Sequence, residues 1–109
     1  MEPLTRESEK LICLMYKQYL KMRSAGYSKA DANYFGDTHN LHESFFPSML
    51  FEDFDELVLE LKRNGYINGG PGNDILSHIY ITSPCIVYME NRFKNGLKDL
   101  LTFLANFLP

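Results

Sequence analysis

The sequence predicts a mainly α fold that carries one small β-hairpin. Three observations lead there. Apolar side chains recur at three- and four-residue spacing over residues 6–25, 53–64 and 97–108, the period of amphipathic helices. One segment, Asn68-Gly69-Gly70-Pro71-Gly72-Asn73-Asp74, is a turn composition, and it precedes the β-branched and aromatic run Ile75–Ile81. The chain has 109 residues and a hydrophobic content of 45%, which matches one domain of ordinary core size and leaves no room for a (β/α)₈ barrel or a doubly wound dinucleotide fold.

The elements follow in order. Residues 6–25 form the first predicted helix, with Leu11, Ile12, Met15, Tyr19 and Met22 on one face, Thr5 as N-cap and Gly26 as the stop. Ser28-Lys29-Ala30-Asp31 opens a short second helix that runs to about Phe35 and stops at Gly36, since a Ser followed three residues on by an acid is a variant of the capping box. Residues 37–47, with two His and Pro47, read as a loop or a single turn. The next helix carries Phe54, Leu57, Val58 and Leu61, takes Ser48 as its N-cap and ends at Asn64-Gly65. The hairpin then pairs a short strand at Tyr66-Ile67 with Ile75–Ile81 across the turn. Thr82-Ser83-Pro84 starts another helix, with the hydroxyl at N-cap and Pro in the first turn. Asn95-Gly96 ends or kinks it. A last helix places Leu97, Leu100, Leu101, Leu104 and Leu108 on one side, widened by Phe103 and Phe107.

Two stretches sharpen this order. DFDELVLELKRNGYI (53–67) resembles the third helix and first wing strand of winged-helix domains, where a helix ends in Lys-Arg-x-Gly-Tyr-Ile. ITSPCIVYMEN (81–91) resembles the segment leaving the wing, with Ile81-Thr82, Tyr88 and Met89-Glu90-Asn91 matching and Cys85 standing where a Gly is usual. The chain over residues 50–109 is similar to the small YjcQ-like family of bacteria and their phages. That resemblance implies a winged helix-turn-helix domain with a C-terminal helical extension: a three-helix unit at 6–64, the wing hairpin at 65–82 and C-terminal helices at 83–109. It implies a history near DNA-binding proteins but no reaction and no ligand.

Charge separates two readings of such a fold. The net charge is −3. Residues 1–30 hold six Lys or Arg and three acids, residues 31–60 hold eight acids and no Lys or Arg, and residues 61–109 hold five basic residues and three acids. The acidic block contains the helix that a DNA-binding winged helix inserts in the major groove, where Glu52, Asp53, Asp55, Glu56 and Glu60 would meet phosphates. This disfavours DNA as partner. The candidate nucleic-acid contacts are Lys10, Lys17 and Lys21 on the first helix, with Lys62 and Arg63 at the end of the third. An ordinary solvated face accounts for the same lysines.

Other chemistry is sparse. His39 and His42, with Asp37 and Glu43 nearby, are the candidate metal ligands, against loop and capping roles for the same side chains. Phosphate-binding glycine loops and nucleophile motifs are absent, so the expectation is a protein that is not an enzyme and has no cofactor. Cys13 and Cys85 form no CxxC pair; the pattern allows one disulfide between them, and two reduced thiols packed in the core are expected instead, in a cytoplasmic protein without signal peptide or membrane span. The last helix is the most apolar segment. Leu97, Leu100, Leu101, Leu104 and Phe107 either pack on the first helix or form a seam with a second copy. The sequence therefore reads as a non-catalytic binding module acting through protein contacts and self-association. A DNA-binding regulator is the alternative, and a small metal protein or enzyme the third.

Overall fold

The computed structural model describes residues 1–72 and 74–107. Six helices and two strands follow in the order α1 (Arg6–Ser24), α2 (Lys29–Ala32), α3 (Thr38–Phe45), α4 (Phe51–Arg63), β1 (Ile67–Pro71), β2 (Leu76–Ile81), α5 (Ser83–Arg92) and α6 (Leu97–Ala105). The mainly helical fold with a small antiparallel hairpin is as the sequence predicts. No helix among the described residues is long and apolar enough to cross a membrane.

Five local expectations are corrected. Helix α2 ends at Ala32 and not near Phe35, because Phe35 and Gly36 pair with Ile79 of β2 instead. The stretch 37–47 is not a loop: Asp37 accepts a hydrogen bond from the Asn40 amide and caps the eight-residue helix α3, so the 6–64 region holds four helices rather than three. Thr5 holds the N-cap position of α1 as expected, but its hydroxyl is engaged by Ser8 and Glu60 and makes no capping hydrogen bond. Ser48 is not the N-cap of α4; Leu50 occupies that position, without a side-chain hydrogen bond. Strand β1 runs on through Gly69-Gly70-Pro71, which an edge strand tolerates because one row of its amides needs no partner. Asn73 of the predicted turn and Leu108 of the last helix lie outside the described residues.

The core is built where α1 and α4 meet under the hairpin. Leu11, Ile12, Met15, Phe54, Val58, Leu61, Ile79, Met89 and Leu100 are all essentially inaccessible to water. Val58 is the deep member of the α4 stripe, and Leu57 is only partly buried at its margin. The thiols of Cys13 and Cys85 are free and buried in this core. Cys85, which stands where the resemblance expects a Gly, is fully buried.

Both strands of the hairpin carry an adjustment. Asn68 pairs with Tyr80 and Gly70 with Ser77, so Gly69 faces two residues of β2, His78 and Ile79. This bulge puts His78 at φ 51°, a left-handed conformation uncommon outside glycine. A Cβ on Gly69 would lie 2.4 Å from the Ser77 carbonyl oxygen, so only glycine fits there. The outer edge of β2 is also paired. The Phe35 amide donates to the Ile79 carbonyl at 3.0 Å and the Ile79 amide to the Gly36 carbonyl at 2.9 Å. Asn33 extends the pairing with its side chain, accepting from the Ile81 amide and donating to the Ile81 carbonyl, both at 2.8 Å. The segment between α2 and α3 thus acts as a short third strand in all but length.

Candidate functional site

Helix α4 and the hairpin beside it share one exposed surface. The period of α4 turns Phe54, Val58 and Leu61 inward and leaves Glu52, Asp53, Glu56, Lys62 and Arg63 exposed. Two apolar side chains interrupt this polar face: Leu50 is 74% exposed and Leu59 39%. A groove of about 620 Å³ runs between the start of α1 and α4, with Glu7, Asp53 and Glu56 against Arg6 and Arg63. A shallower hollow of about 440 Å³ separates Asp55, Leu59 and Lys62 from the glycine-rich end of the hairpin.

Glu60 sets the shape of the first groove. Its carboxylate accepts from the Thr5 amide and hydroxyl, each at 2.9 Å, and from the Ser8 hydroxyl at 2.7 Å. Burial opposes its ionisation, but the hydrogen bonds from Ser8 and Thr5 and the charge of Arg63 outweigh this and hold its pKa below the usual value. The acid counted in the sequence as a phosphate-facing charge is therefore a tie between two helices. Its partners are 52 and 55 residues away in the chain, so no local pattern announces it.

The predicted nucleic-acid contacts are scattered over different surfaces. Lys62 and Arg63 are exposed at the C-terminal end of α4. Lys10 lies over the Phe46 ring, 5.4 Å from its centre. Lys17 and Lys21 stand together at the rim of a largely apolar hollow near the end of α1, floored by Leu14, Met22 and Phe45.

The histidines expected as metal ligands are engaged with aromatic neighbours. His39 stacks on Phe51 with ring centres 4.4 Å apart, and the His42 ring sits against Phe51 and Phe54. His42 Nε2 donates to the Met49 carbonyl at 2.6 Å, which ties α3 to the turn before α4. Asp37 is occupied as a helix cap. Among the described residues no group of three His, Cys, Asp or Glu is placed to hold a metal ion. Burial pushes both thiols up to about 12, with the Arg92 charge opposing this at Cys13, so neither is a thiolate near neutral pH.

Helix α6 lies back on its own chain. Leu100 is fully buried, and Phe103 and Leu104 pack against the same core. Two cations pin the helix: Arg6 of α1 sits over Phe107 at 4.6 Å, and Arg92 of α5 over Phe103 at 4.4 Å while pairing with Glu9 at 2.6 Å. Of the five residues of the expected seam, Leu97, Leu104 and Phe107 are half-buried and Leu101 alone is exposed, at 44%.

Sequence reasoning missed one cluster. Tyr34, His78 and Tyr80 come together between α2, β2 and the start of α5. The tyrosines are 46 positions apart and lie on no common periodic face; the pairing of 35–36 with Ile79 and of Asn33 with Ile81 joins them. No family model matches the chain, and no curated protein or solved structure matches it either.

Proposed function

We propose that this chain is a non-catalytic winged-helix binding module that works through protein contacts. The arrangement of α1, α3 and α4 around a hairpin whose outer edge is paired by residues 35–36 supports the winged-helix reading. The observation that carries the functional reading is the exposed face of α4. Glu52, Asp53 and Glu56 stand there with Leu50 and Leu59 and without a cation until Lys62. Duplex DNA carries one negative charge per about 1.7 Å of its axis, and such a face repels it. A basic, partly apolar protein surface complements it in both charge and hydropathy.

Self-association belongs to the same reading, narrowed by the intrachain packing of α6. A second copy meeting this helix would meet Leu101 first, because Leu100, Phe103 and Leu104 are used at home. The test is a pair of titrations followed residue by residue in amide NMR spectra. A Lys/Arg-rich amphipathic peptide is expected to shift α4 signals, and Asp53→Asn with Glu56→Gln to weaken that response. Mixed-sequence duplex DNA is expected to leave α4 unmoved at physiological salt. Tight, sequence-dependent duplex binding through α4 would replace this reading with the DNA-binding regulator.

A further inference from the structure

The cluster of Tyr34, His78 and Tyr80 lines a pocket of about 400 Å³ that shares no lining residue with either α4 groove. That volume falls in the range of about 300–1,000 Å³ common to small-molecule sites. It is lined by four aromatic side chains, Tyr19, Tyr34, His78 and Tyr80, with Ile86 among them; Lys29, Ser83 and Asn33 are its other polar side chains, and the Asn33 amide is held by the Ile81 backbone. No carboxylate lines it. Tyr34 is 56% exposed and Tyr80 42%, so two large ring systems are left open to solvent where the core could have used them. The His78 ring lies 6.3 Å from that of Tyr34. The bulge that places His78 there holds its backbone in a left-handed conformation.

We propose that this pocket binds a nucleotide unit, with the base stacked on the Tyr34 and Tyr80 rings and the phosphate drawn to Lys29. Stacking on an aromatic ring suits any base, because every base has a π-face, and a single ammonium without a competing carboxylate suits one phosphate. The surroundings extend the same chemistry. Between Glu9 and Asp31 the chain has five Lys or Arg and no acid, and Lys17 and Lys21 flank the neighbouring hollow, which Tyr27 walls with its 50% exposed ring. The unit could come as a free nucleotide or as one residue of a single strand. Both present the same base and phosphate.

The experiment titrates the full chain with AMP, with a short oligothymidylate and with inorganic phosphate, read by amide NMR shifts and by calorimetry. Saturable shifts at Tyr34, His78 and Tyr80 are expected with the first two probes and not with phosphate alone. Tyr34→Ala is expected to weaken binding roughly 5- to 150-fold, the effect of losing one stacked base. Lys29→Ala should weaken it as well, while Lys94→Ala, an exposed lysine outside the pocket, should not. Both pocket side chains are exposed, so folding is checked by an unchanged circular dichroism spectrum. An oligonucleotide bound more tightly than AMP, and weakened by Lys21→Glu, identifies the single strand as source; equal affinities identify the free nucleotide. No saturable binding at millimolar AMP and oligonucleotide, or binding unaffected by Tyr34→Ala, overturns the proposal.

Discussion

Helices α4 and α6 are both amphipathic, and the more apolar of the two is the less buried. LKDLLTFLA has two charged residues in nine, yet only Leu100 is fully enclosed. FEDFDELVLELKR has seven in thirteen and encloses Phe54, Val58 and Leu61. The difference lies in what surrounds each helix. α4 is covered by α1, α3 and the hairpin, so its narrow stripe meets partners along its whole length. α6 lies chiefly on α1, and much of its wide apolar side is shared with arginine side chains and water. Apolar content says how much surface a helix would gain by hiding; the number of neighbours decides how much it does hide.

Substitutions along the two helices test this contrast, and the largest effect belongs to α4. Phe54→Ala is expected to cost about 3–5 kcal/mol, enough to threaten a domain whose whole stability is of order 5–15 kcal/mol. Urea unfolding measures it, and a loss under about 1 kcal/mol would mean that α4 is not enclosed. Leu100→Ala should cost somewhat less, about 2–4 kcal/mol, because a helix covered on one side can settle toward the space left behind. Equal losses at the two sites would erase the distinction between the helices.

Smaller effects sit at the polar margins. Glu60→Gln should cost about 0.5–1.5 kcal/mol at neutral pH, since its carboxylate is partly exposed and its hydrogen bonds compete with water. The folded-state pKa of Glu60 is lowered from 4.5, so its contribution is complete above the unfolded value and disappears as pH falls through the folded one. The stabilities of wild type and variant should therefore converge in acid, once the pH has fallen below the folded-state value. Leu101→Asp should change stability by no more than about 0.5 kcal/mol, as at other exposed positions. Its informative readout is mass in solution. If α6 joins two copies, the variant loses the dimer without unfolding; a wild-type chain that stays monomeric at high micromolar concentration removes that seam. Leu104→Asp is no substitute, because Leu104 packs on the core and the charge would unsettle the fold itself.

The parts of this architecture that follow a local period were legible in the sequence. The stripes of α1 and α4, the Thr82 cap with Pro84 behind it, and the β-branched run of β2 all rest on residues close together in the chain. α3 escaped because its eight residues enclose only Thr38 and Leu41, too few to show a face; its one clear signal is the Asp37–Asn40 cap. The Glu60 tie and the tyrosine pocket escaped for another reason: each depends on a contact more than 40 residues long, which only the finished fold makes local. Charge counting located the acidic block correctly but could not tell a solvated carboxylate from one already spoken for.

Asn33 has a consequence for how the protein behaves at high concentration. A hairpin with an open flank invites another chain to add a strand to it, the first step toward aggregation. Here the side-chain amide of Asn33 imitates a peptide group and occupies both ladder positions of Ile81, while Phe35 and Gly36 take those of Ile79. The opposite flank belongs to β1, whose Gly69-Gly70-Pro71 is short, poor in β-propensity and lacks an amide proton at its last residue. One flank is thus filled and the other unattractive, and a stray strand finds no template on either side.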